Sequence, residues 1–107
     1  MKLNLEVENF IKKRNMEYLV EWLTDCIINY DFKNCCNLKI ELLRESDSED
    51  SDILLFKIYN DFEPNYFKLN LFIINLLINE YFKEFKNSIS ITQAPTKEFF
   101  MDEEMDY

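Results

Sequence analysis

The chain has 107 residues, with no glycine, no histidine, three cysteines, 48% hydrophobic residues and a formal net charge of −9. Lacking glycine, it has no loop in which backbone amides closely approach a phosphate, and lacking histidine it has neither an imidazole metal ligand nor the usual general base. The charge weighs against phosphate-backbone contacts with nucleic acid and against anionic membranes, while the apolar content is enough for one domain to form a core without disulfides or a structural metal.

From Asn4 to about Asp31 apolar residues recur at helical spacing, with Val7, Phe10 and Ile11 followed by Leu19, Trp22, Leu23, Cys26, Ile27 and Tyr30. The Lys12-Lys13-Arg14-Asn15 patch marks a break between two helices or the polar face of one. Asn4, Glu6 and Glu8 interrupt the first apolar residues, so no signal peptide is expected there. Cys26 fits the apolar pattern, and Cys35 and Cys36 are adjacent. An odd cysteine count without CxxC spacing points to a reducing, cytoplasmic compartment and gives no zinc site.

Leu38, Ile40 and Leu42 alternate as in a half-buried strand, and a second, more buried and central strand is expected from about Ile53 to Tyr59. The Glu45–Asp52 connection is polar and lacks Asn-Gly or Asp-Gly, which predicts a long, mobile loop. Pro64 suits the first turn of a helix, with Glu63 or Asn65 as its cap. That helix is expected to reach Lys86, with Lys83 and Lys86 in its last turn and Asn87 as left-handed terminator. Phe67, Leu71, Ile74, Leu77, Ile78, Tyr81 and Phe85 form its inner side, and Leu69, Phe72, Ile73 and Leu76 widen the apolar arc. Such a helix is either central or part of an interface, and it is expected to be buried on several sides. Its apolar run is too short to span a membrane.

Ser88–Thr92 alternates as a third strand ended by Pro95. The fold class is therefore α+β: a two-layer sandwich in the order α-β-β-α-β, with a small three-stranded mixed sheet backed by helices. Residues 1–96 form the domain and 97–107 an acidic-aromatic C-terminal tail. The sheet's two open edges offer a route to a homodimer.

Negative charge concentrates in residues 37–64, with 8 acidic against 3 basic residues, and in 97–107, with 5 against 1. The loop carboxylates Asp47, Glu49, Asp50 and Asp52 lack the glycine and the twelfth-position Glu of a calcium loop. Ser51-Asp52-Ile53-Leu54 likewise has leucine where the Ser-Asp-x-Asp strand of nucleotidyltransferases carries its second carboxylate. No catalytic residue, metal site or cofactor is assigned, and a divalent-metal-dependent enzyme using the 47–52 carboxylates is only a minor alternative.

The favoured expectation is a non-enzymatic protein-interaction domain, of the kind a mobile element encodes as an inhibitor or regulator. Asp47, Glu49, Asp50, Asp52, Phe99, Phe100, Asp102, Glu103 and Glu104 would form a phosphate-mimicking surface for a basic partner such as a nucleic-acid-binding protein, with no direct nucleic-acid or membrane contact. The alternative is a small acidic chaperone-like or scaffold dimer that binds through apolar surface, with Leu69–Ile78 and the sheet carrying the contact.

Overall fold

A computed structural model describes residues 3–28, 37–44 and 52–99. The helical stretch at the N-terminus is two helices, α1 (Leu5–Lys13) and α2 (Glu17–Cys26). Asn4 caps α1 by accepting the Val7 N–H at 2.8 Å, and Glu6 and Glu8 against Lys12 and Lys13 complement the dipole at its two ends.

Between the helices the chain makes a Schellman turn without glycine. Met16 N–H donates to the Ile11 carbonyl at 2.9 Å, Asn15 N–H donates to that of Lys12 at 3.2 Å, and Asn15 adopts φ 56°. Buried Ile11 and Met16 supply the apolar contact that accompanies this motif. Among the described residues Asn15 alone has positive φ. Asparagine tolerates that region and a β-branched side chain does not. Asn15→Val is therefore expected to cost about 1–2 kcal/mol and Asn15→Gly to be neutral or slightly stabilising, as read from urea midpoints.

Strands β1 (Asn37–Leu43) and β2 (Ile53–Tyr59) pair antiparallel, from Asn37 opposite Tyr59 to Leu43 opposite Ile53. α3 (Pro64–Tyr81) then carries the chain to β3 (Ile89–Ala94), which lies parallel to β2 in the sheet order β1-β2-β3. The domain is thus α+β, ordered α-β-β-α-β, with a mixed sheet and β2 at its centre.

The alternation of β2 divides its residues. Leu54, Phe56 and Ile58 enter one core cluster with Ile40 and with apolar residues of α1, α2 and α3, including Phe10, Leu23 and Ile74. Tyr59 faces the other way and is fully buried outside that cluster. Full burial of one such aliphatic or aromatic side chain contributes about 1.5–3 kcal/mol before the entropy of ordering it.

Two expectations for α3 are corrected. The helix ends at Tyr81, and Lys83–Ser88 forms a 3₁₀ turn, so Lys83 and Lys86 lie beyond its last turn. The break falls at Phe82, with φ −134° and ψ 38°, whose side chain is buried with its ring 5.1 Å from that of Trp22 and 5.8 Å from that of Tyr18. Packing that ring on α2 takes the backbone out of helical geometry before Asn87 is reached. The left-handed terminator expected at Asn87 is at Asn15 instead.

The second correction concerns burial. Only Phe67, Ile74 and Ile78 of α3 are buried, while Leu69, Phe72, Ile73 and Leu76 are exposed, so the helix is not central. Tyr81, expected inside, is also exposed. Glu63 occupies the N-cap position without a side-chain hydrogen bond, and Pro64 fills the first turn as expected.

Candidate functional site

Of the nine residues expected to meet a partner, Asp47, Glu49, Asp50, Phe100, Asp102, Glu103 and Glu104 lie outside the described residues, as do Cys35, Cys36 and most of the expected 45–52 loop. Asp52 and Phe99 are placed, and both are engaged within the chain.

Asp52 stands immediately before β2 and is only 7% exposed. Its Oδ2 is 4.0 Å from Nε of Arg44, whose guanidinium also donates to Glu6 of α1. Arg44 and Asp52 flank the acidic connection, so the two ends of that connection are held together and tied to α1. These groups line a cleft of about 270 Å³ together with Asn9, Phe10, Lys13, Arg14 and Leu42. Arg14 lies over the Phe10 ring at 5.3 Å. The described residues that line the cleft carry both signs of charge and include no cysteine or hydroxyl side chain. Among the described residues no three His, Cys, Asp or Glu side chains group so as to hold a metal ion.

Phe99 ends a helical turn at 96–99 and packs edge-on against Tyr59, with ring centroids 5.3 Å apart. Lys39 and Lys57 are direct neighbours across β1 and β2, a like-charge pairing that is unfavourable in a bare sheet. Here Lys39 Nζ lies 5.3 Å from the Phe99 ring and 5.9 Å from the Tyr59 ring, and Lys57 Nζ lies 5.3 Å from the Tyr59 ring. The ring faces supply the negative potential that offsets the pairing. The start of the expected tail thus belongs to the sheet's second face.

A buried polar knot closes the same end of the sheet. Asn60 is 4% exposed, and its Oδ1 accepts from Phe62 N–H at 3.0 Å and from Gln93 Nε2 at 2.6 Å. Gln93 also donates to the Phe62 carbonyl at 3.0 Å, and Asn60 N–H to that of Ala94 at 3.0 Å. Asp61 accepts the Thr96 N–H at 3.1 Å. These contacts link the start of α3 to the end of β3. Sequence inspection does not reveal them, since Asn and Gln in this chain occur mostly at polar surface positions.

Among the described residues, α3 carries a contiguous set of exposed apolar side chains. At about 100° per residue, Leu69, Phe72, Ile73 and Leu76 share one face, opposite the buried Phe67, Ile74 and Ile78. Leu69, Phe72 and Leu76 are 60%, 61% and 53% exposed, respectively. Isolated exposed leucines need no explanation, but four large side chains contiguous on one helix form a patch of the kind that marks interaction sites. Within Pro64–Tyr81 only Lys68 and Glu80 are charged, so the face is close to neutral in a chain of net charge −9. The apolar arc signalled this from sequence, but periodicity alone does not distinguish a helix buried on both sides from one that leaves a face open.

No family model, curated protein or solved structure matches the chain. No helix among the described residues is long and apolar enough to cross a membrane.

Proposed function

We propose that this chain is a non-enzymatic protein-interaction domain, acting in a reducing, cytoplasmic setting, whose docking surface is the outer face of α3. The observation that carries the proposal is the exposed stripe Leu69, Phe72, Ile73 and Leu76 on a helix whose opposite side already serves the core. This favours the apolar-surface reading over the phosphate-mimicking one, because Asp52 is turned into the fold toward Arg44 and Phe99 is committed to Tyr59. In this reading the acidic segments 45–51 and 102–106 keep a chain with an apolar docking face in solution. Two expected carboxylate groups, Asp47, Glu49 and Asp50 together with Asp102, Glu103 and Glu104, lie outside the described residues and are the substance of the competing proposal.

The two readings separate in one capture experiment from a lysate of the source cell. It compares the wild type with Phe72→Glu and with a neutralised loop carrying Asp47→Asn, Glu49→Gln and Asp50→Asn. The apolar reading expects capture to be lost with Phe72→Glu and retained both by the neutralised loop and in molar salt. Capture that survives Phe72→Glu but disappears with the neutralised loop or with salt would establish the acidic reading instead.

A further inference from the structure

We propose that a second copy of this chain covers the outer face of α3, the two α3 helices lying antiparallel about a two-fold axis that passes between Phe72 and Ile73. The inference rests on the apolar-face reading and adds the identity of the occupant. An isologous interface requires a surface that is its own complement, such that where residue i meets j, j also meets i. The stripe Leu69-x-x-Phe72-Ile73-x-x-Leu76 meets that condition, since its large apolar positions have the same spacing read in either direction.

A two-fold at the centre of the stripe sets Leu69 of one copy against the partner's Leu76 and brings Phe72 and Ile73 of both copies to the axis. The same register sets Glu80 against the partner's Asn65, an amide that donates to a carboxylate, so the two Glu80 side chains do not meet. Charge favours this face over that of α2. Two molecules of net charge −9 repel wherever their acidic surfaces approach, and the exposed side of α2 carries Glu17, Glu21 and Asp25 with no basic residue in the helix, whereas α1 mixes Glu6 with Lys12 and Lys13. Only Lys68 and Glu80 interrupt the neutrality of α3, and the antiparallel register brings no like charges into contact there.

Sedimentation equilibrium on the full chain tests the arrangement. The weight-average mass of the wild type is expected to rise with concentration from 13.1 kDa toward twice that value. Leu69→Lys and Leu76→Glu are each expected to stay monomeric over the same range, because each places a charge against a leucine twice per dimer. Mixed in equal amounts, they are expected to recover the doubled mass, since the register sets the introduced ammonium of one against the introduced carboxylate of the other. Thermal unfolding by circular dichroism at low concentration confirms that each variant is folded, and Phe72→Gln takes the place of either one that is not.

A wild type that is monomeric up to millimolar concentration overturns the self-association while leaving the apolar face to the capture experiment. A dimer indifferent to all three substitutions overturns the placement of the interface on α3, and again leaves the apolar face to the capture experiment. Single variants that are monomeric alone and remain so when mixed overturn the antiparallel register, and with it the proposal.

Discussion

Phe56→Ala is expected to destabilise the domain by about 3–5 kcal/mol, the largest effect of any single truncation considered. Phe56 is fully buried in the central strand, paired with Ile40 on one side and Ile91 on the other. Its side chain belongs to the cluster that joins the sheet to α1, α2 and α3. Removing the ring forfeits its transfer free energy and leaves a cavity that flanking strands cannot readily close. Because domains of this size are stable by only about 5–15 kcal/mol, such a loss removes a substantial share of the total. Urea titration followed by far-ultraviolet circular dichroism measures the loss, with Phe72→Ala as control. That ring is 61% exposed, so at low protein concentration its truncation is expected to change stability by no more than about 0.5 kcal/mol. Equal effects at the two positions would contradict the placement of both rings.

Asn60→Ala should lower stability by about 1–3 kcal/mol, out of proportion to the few atoms it removes. The substitution strips the acceptor from Phe62 N–H and from one donor of Gln93, both on half-buried residues packed around the buried Asn60 side chain. Leaving those donors unpaired carries their desolvation cost, whereas the net gain from making such bonds is smaller. The prediction has a specific signature in a double-mutant cycle. Gln93→Ala alone should be destabilising, and Asn60→Ala with Gln93→Ala should cost less than the sum of the two single changes, because the second loss falls on a contact already broken. Strict additivity would show that the two side chains do not act as one unit.

Much of the fold was legible in the sequence because local patterns and tertiary demands agree there. Alternation in Leu38–Leu42 and the more continuous apolar run of Ile53–Tyr59 identify an outer and a central strand, and Pro64 marks where α3 begins. Disagreement arose where a side chain far away in sequence decides a backbone angle. Nothing local to Phe82 ends a helix, but its ring is captured by Tyr18 and Trp22 of α2 and the helix stops with it. Asparagine as a substitute for the missing glycine was the right chemistry assigned to the wrong helix, since Asn15 and Asn87 both follow basic residues near a helix end.

The candidate site was less legible than the fold. Carboxylates draw attention in a sequence because they are chemically distinctive, yet Asp52 is buried beside Arg44, and no local pattern shows which charge is turned inward. Leu69, Phe72, Ile73 and Leu76 have the composition of core residues, and their exposure follows only from where the sheet and the first two helices happen to lie. Phe99 similarly looks like a free anchor until its ring is placed on Tyr59.

The parallel pairing of β2 with β3 has a kinetic consequence. The β1–β2 hairpin joins near neighbours in sequence, but Leu54 meets Ile89 only after the whole of α3 has been laid down between them. Closing that long loop costs entropy before any contact rewards it, so the β2–β3 ladder is the late step in assembling this sheet. Until it closes, one side of β2 is an open edge, and α3 is an almost uncharged helix with apolar residues all around it. Carboxylates placed before β2 and after β3 give every chain in that half-built state the same sign of charge, so electrostatic repulsion opposes edge-to-edge association while the sheet is incomplete.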